Sequence, residues 1–150
     1  MEFSTDKKFL YIIDELSVKI TVYKYNNGKL TFVQAINMMP EDYKETGAAD
    51  LHVSPDGKFL YASNRDTADN IVLYAINKQD GKLSFIERYG VSKAPRGFTI
   101  DPTGNFLLSA GQEGNAIIVF KIDKATGKLT LTDNKIDVSQ ITCLKWVAAE

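Results

Sequence analysis

Short apolar runs recur along the chain at nearly even spacing. Phe9-Leu10-Tyr11-Ile12-Ile13, Phe59-Leu60-Tyr61-Ala62-Ser63 and Phe106-Leu107-Leu108-Ser109-Ala110 each open on phenylalanine, and the phenylalanines stand 50 and 47 residues apart. Before each lies a turn: Ser4-Thr5-Asp6-Lys7, Ser54-Pro55-Asp56-Gly57 and Asp101-Pro102-Thr103-Gly104. Proline presets φ at the second turn position and glycine accepts the conformation that leaves it. After a polar stretch, each unit has a run rich in β-branched and aromatic residues: Ile20 to Tyr25, Ile71 to Ile76 and Ile117 to Ile122. A Gly-Lys-Leu reversal follows at Gly28, Gly81 and Gly127, and a further strand starts from it.

Leu51-His52-Val53 and Phe98-Thr99-Ile100 add a strand ahead of the turn, so one unit is four antiparallel strands in about 47 to 50 residues. That is the content of one β-propeller blade. The predicted class is therefore all-β: a partial propeller of about three blades, over approximately 1–48, 49–95 and 96–150. No segment sustains a 3.6-residue apolar period. The polar stretch Pro40 to Asp50 is the longest connection and the one place for a short helix. The repeated phenylalanines, with Tyr23, Tyr74 and Phe120, are expected to pack between blades, and Lys29, Lys82 and Lys128 to sit on the outer rim.

Composition narrows the function classes. The 150 residues carry 18 basic and 19 acidic side chains, a formal charge of −1, so no global field favours nucleic acid or an anionic membrane. A single cysteine, Cys143, excludes an internal disulfide and a cysteine-cluster metal site, which suits a reducing compartment. No run approaches the length of a membrane span, and the N-terminal residues lack a leader pattern. A cytoplasmic protein is expected.

In a propeller the innermost strands line a central channel, so chemistry is sought where equivalent positions of different blades carry different polar groups. Six residues beyond each phenylalanine stand Glu15, Arg65 and Gln112. On the strands leading into the blades stand Asp50, His52 and Arg96, with Asp50 and His52 on one face by the alternation of a strand. A carboxylate or imidazole here could act as general base toward water, and the arginines could hold an anion or an oxyanion. Structural alternatives stand beside these: His52 as a hydrogen-bonded strand residue, Asp50 as a loop acceptor, Glu15 and Arg65 as an ion pair bridging two blades, Arg96 as a solvated loop residue. No triad spacing, phosphate loop or metal motif is present, and neither a cofactor nor a metal is expected, with Ca²⁺ at loop oxygens left open.

Three stretches resemble the lactonase family of seven-bladed β-propellers: Ala49 to Arg65 (Ala-Asp-Leu-His-Val-Ser-Pro-Asp-Gly-Lys-Phe-Leu-Tyr-Ala-Ser-Asn-Arg), Ala94 to Phe98 (Ala-Pro-Arg-Gly-Phe), and Asp101 to Leu108. The closing Thr142-Cys143-Leu144-Lys145-Trp146 resembles that family's last strand. The resemblance implies hydrolysis of a sugar lactone, foremost 6-phosphogluconolactone, by water attack in the channel without a required metal. It implies Glu15 and Arg65 as the acidic and basic channel residues and Arg96 as a substrate-facing arginine, and His52 matches the family's His-Val-Ser-Pro strand. With the channel positions read above, the candidate set is Glu15, Arg65 and His52 as catalytic groups and Arg96, Asp50 and Gln112 on the substrate. A carboxymuconate-type cycloisomerase and a non-catalytic binding or assembly module are the alternatives. The family's Arg-His pair would fall just before Met1, so its histidine is not in this chain. Three blades are too few to close a ring of that kind, so a truncated product, or self-association through exposed blade faces, is expected.

Overall fold

The computed structural model describes residues 1–40 and 46–147. Twelve strands form three antiparallel four-stranded meanders. The first holds β1 (Glu2–Phe3), β2 (Phe9–Asp14), β3 (Lys19–Asn26) and β4 (Lys29–Asn37). The second holds β5 (Thr46–Val53), β6 (Phe59–Asp66), β7 (Asn70–Ile76) and β8 (Leu83–Gly90). The third holds β9 (Pro95–Ile100), β10 (Phe106–Gly111), β11 (Ala116–Ile122) and β12 (Leu129–Asp137). Each sheet is one blade, and β5, the leading strand of the second, lies against the leading strands β1 of the first and β9 of the third.

The turn ahead of each phenylalanine is closed by a side chain. Ser4 Oγ accepts the Phe9 N–H at 3.0 Å and donates to Asp6 at 2.7 Å, and Ser54 repeats both bonds with Phe59 and Asp56 at the same distances. In the third blade Asp101 takes over, accepting the N–H groups of Asn105 and Phe106 at 2.6 Å. The turns leave through a left-handed residue, Gly57 and Gly104 in two blades and Lys7 (φ 58) in the first. A register shift between the third and fourth strands recurs in all three sheets, and such bulges increase blade twist.

Strand alternation gives the middle blade two apolar faces. Leu60, Ala62, Val72 and Tyr74 meet Phe9, Tyr11, Ile20 and Val22 of the first blade. Phe59, Tyr61, Ile71 and Leu73 meet Phe98, Leu107 and Phe120 of the third. Two expectations about packing and secondary structure change. Phe106 is not packed between blades but 40% exposed, because no described blade lies beyond the third. Thr46 to Asp50 do not form a loop but lengthen β5, whose backbone pairs with β6 across a register shift between Ala48 and Leu51. The expected short helix otherwise falls on residues 41–45, outside the described residues. The closing segment Thr142 to Trp146 pairs as no strand among the described residues; it runs beside β9, where a Cβ on Gly97 would come 2.7 Å from the Thr142 carbonyl oxygen.

Candidate functional site

Three blades contribute one charged residue each to a common hollow. Glu15 follows the end of β2, and its carbonyl accepts the Ala48 N–H at 3.0 Å, tying the first blade to β5. Arg65 lies near the end of β6 opposite Gly47. The strands approach closely there: a Cβ on Gly47 would come 2.9 Å from Asp66 Oδ2 and displace that side chain. Arg96 enters on β9 after Ala94, which holds a left-handed φ of 54°, and Pro95, which fixes the chain direction. The Ala94 carbonyl accepts the N–H groups of Arg96 at 2.8 Å and Gln112 at 2.9 Å, which sets where Arg96 departs from the sheet.

Glu15, Arg65 and Arg96 line a hollow of about 260 Å³ together with Ile13, Ala48 and Ala49. The Glu15 carboxylate pairs with the Arg65 guanidinium, joining the first and second blades. Arg96 has no ion-pair partner among the described residues, and the described lining holds two guanidinium groups to one carboxylate. Arg96 is shared with a second hollow of about 370 Å³, lined also by Asp50, His52 and the closing segment. Gln112 is not brought to either wall.

His52 and Asp50 do share a face, and their bonding decides what they can do. Asp50 Oδ2 contacts His52 Nε2 at 3.2 Å, and Glu2 Oε2 contacts His52 Nδ1 at 2.9 Å. The ring stands edge-on to Phe98, centroids 4.9 Å apart. Burial alone would depress the imidazolium, but the hydrogen bonds and charges of the two carboxylates outweigh it and raise the pKa to about 9. Both ring nitrogens face carboxylate oxygens, an arrangement that favours the charged imidazolium as a strut between Glu2 and Asp50 over a free imidazole acting as general base. Burial opposes ionisation of Asp50 too, yet the bonds from His52, Phe98 and Leu51 hold its carboxyl below the ordinary value. The same oxygen, Asp50 Oδ2, also accepts the Phe98 N–H at 3.3 Å and carries the linkage on to β9, while Oδ1 accepts the Leu51 N–H at 2.9 Å. Glu2 also accepts the Val53 N–H at 3.2 Å. Glu2, His52 and Asp50 thus lace the three leading strands together.

Glu2 went unrecognised in the sequence although a signal exists. It lies seven residues before Phe9, the offset that places His52 before Phe59 and Thr99 before Phe106. Comparing three positions instead of two exposes an acid opposite a histidine.

Three four-stranded antiparallel meanders packed face to face define a partial β-propeller. The chain belongs to the lactonase family of seven-bladed β-propellers, whose family model matches residues 1–146. It is 42% identical over 147 residues to a 6-phosphogluconolactonase of Formosa agariphila, covering 95% of this chain and 41% of that protein. It is 33% identical over 150 residues to a 6-phosphogluconolactonase of Bacillus subtilis, covering 97% and 42%. The structure of a periplasmic gluconolactonase from Pseudomonas aeruginosa superposes with a TM-score of 0.93 at 33% identity, over 98% of this chain and 41% of that one. The chain thus spans about two-fifths of the length of these relatives.

Proposed function

We propose that the protein supplies the Glu15, Arg65 and Arg96 side of a lactonase site whose substrate is 6-phosphogluconolactone. The observation that carries this reading is the meeting of those three residues, one from each blade, at one hollow whose described lining holds two arginines and one carboxylate. Two relatives named 6-phosphogluconolactonase support the substrate. Arg96 binds the anionic part of the lactone, as a guanidinium suits a phosphate or carboxylate. The Glu15 carboxylate takes a proton from water as the water oxygen bonds to the lactone carbonyl carbon. Arg65 stabilises the resulting oxyanion. The ring C–O bond then breaks, and the proton passes from Glu15 to the departing oxygen, giving the open hydroxy acid. A cytoplasmic location forms part of this proposal.

The test is lactone opening followed at constant pH above the spontaneous rate. Glu15→Gln should lower kcat by about 10²-fold with little change in KM, the scale of a lost general base. Arg96→Ala should act chiefly on KM, and more strongly for the phosphorylated lactone than for gluconolactone, the substrate class that the Pseudomonas relative's name gives. Rates unchanged in both variants would refute the assignment.

A further inference from the structure

The second hollow, of about 370 Å³, holds a cation to which the reaction at the smaller one gives no task. Its walls come from three stretches of the chain: Asp50 and His52 on β5, Arg96 and Thr99 on β9, and Lys145 and Trp146 on the closing segment. Gly97, next to Arg96, lets the closing segment lie against β9. A Cβ there would come 2.7 Å from the Thr142 carbonyl oxygen and 3.5 Å from its carbon, backbone atoms that cannot turn aside as a flexible side chain would. Any larger residue would push the segment, and Lys145 with it, away from β9.

The charged groups of this lining are of two kinds. Asp50 and His52 are bonded to each other, and Glu2 takes the other ring nitrogen, so the β5 wall is satisfied within the protein. Arg96 and Lys145 are exposed and have no ion-pair partner among the described residues. Two unpaired cations lining one space repel each other, and an anion between them converts that repulsion into attraction. A guanidinium supplies a planar fork and an ammonium a point charge, both suited to phosphate oxygens. A phosphate monoester carries about two negative charges near neutral pH, matching the two cations, whereas a carboxylate carries one. Phe98 and Trp146 add apolar surface for the carbons that bear it. Because Arg96 lines both hollows, an anion held between Arg96 and Lys145 lies beside the space where Glu15 and Arg65 meet.

Resting on the lactone-opening reading of the smaller hollow, we propose that the second hollow is a phosphate subsite. Lys145 and Arg96 hold the 6-phosphate of the substrate between them, and Lys145 sets the preference for a phosphorylated over an unphosphorylated sugar lactone. Lys145 contributes binding and takes no part in the proton transfers at Glu15.

Binding of 6-phosphogluconate, the open product, and of gluconate, which lacks the phosphate, tests this in the intact chain without turnover. Trp146 is the only tryptophan, so its emission reports on the hollow, and titration calorimetry measures the same affinities independently. 6-Phosphogluconate should change that emission and bind at least about tenfold more tightly than gluconate, and inorganic phosphate should displace it. Lys145→Gln should lower affinity for 6-phosphogluconate by about tenfold, the scale of one charge-assisted contact, and leave gluconate unchanged. Lys145→Arg should keep the preference. Lys121→Gln, the same loss of charge at an exposed position of β11, should behave as wild type. A wild type without the preference, an equal loss for both ligands in Lys145→Gln, or the same effect from Lys121→Gln overturns the subsite. The reaction assignment fails on different data. Turnover unaffected by Glu15→Gln refutes the base while the phosphate preference stands; a preference independent of Lys145, beside turnover that needs Glu15, refutes the subsite alone.

Discussion

Between pH 6.5 and 9 the protein should lose stability through one identifiable proton. His52 is the only histidine, so a single imidazole resonance reports it. Glu2 on β1 and Asp50 on its own strand face the ring, and Phe98 on β9 covers it. Displacing its ionisation from the ordinary 6.5 to about 9 corresponds to about 3 kcal/mol at 1.36 kcal/mol per pKa unit. The side chains of His52, Glu2 and Asp50 are each about one-third exposed, so solvent screening reduces this to roughly 1–2 kcal/mol. The folded-state pKa is raised, so the contribution is complete below pH 6.5 and disappears as pH rises through about 9. Asp50 has the opposite sign: its depressed pKa gives stability above the ordinary carboxylate range that is lost on acidification.

Two measurements decide the point. The imidazole resonance of the native protein should titrate near pH 9 and return toward 6.5 in denaturant. Urea unfolding at a series of pH values should then show the predicted fall over that window, and His52→Gln should flatten it while lowering stability at pH 6, where two carboxylates would be left facing one another. Other groups titrate in both proteins, so the difference between the two curves isolates His52. A native resonance titrating near 6.5, or an equal slope in the variant, would refute the strut.

Two further pairs of substitutions test the joints between blades. Tyr61→Phe should cost about 1 kcal/mol by removing the bond to the buried Gly127 carbonyl, whereas Tyr74→Phe should be neutral or stabilising by up to about 1 kcal/mol, because its buried hydroxyl has no partner among the described residues. Denaturant midpoints compare them directly. Gly81→Ala should cost about 3 kcal/mol or more, combining left-handed strain with collision against Phe9, while Gly28→Ala should cost only the conformational term of about 1–2 kcal/mol. Equal losses at the two glycines would mean that the ring contact does not matter.

The blade pattern was legible because three independent local signals agree at one spacing: the turn ahead of phenylalanine, strand alternation, and the Gly-Lys-Leu reversal. What a repeat cannot convey is an element's surroundings. Phe9, Phe59 and Phe106 look alike in sequence, yet the first two are buried at 4% and 7% exposure and the third is 40% exposed, because packing depends on the neighbouring blade. The stretch before Leu51 reads as a loop since Thr46, Gly47 and Ala48 have little apolar character; β6 nevertheless supplies a partner for their backbone. Nonlocal pairing overrode weak propensity there.

Part of the hollow's lining was legible as residues, though not as roles. Glu15, Arg65 and Arg96 meet because the repeat fixes where each strand ends, and that position can be counted along the chain. The state of His52 depends on Glu2, fifty residues away on a two-residue strand, and on whether Asp50 turns toward the ring. An isolated strand histidine is a candidate base; the same histidine between two carboxylates is a cation. Within the proposed reaction, that difference divides the tasks near the hollow. With the imidazole held charged and Asp50 committed to the Phe98 backbone and to His52, Glu15 is the carboxylate lining the smaller hollow, and the lacing of β1, β5 and β9 fixes the strand from which Arg96 projects. In the proposed reaction, proton transfer therefore rests with Glu15, and the histidine serves by keeping the arginine wall at a constant distance from it.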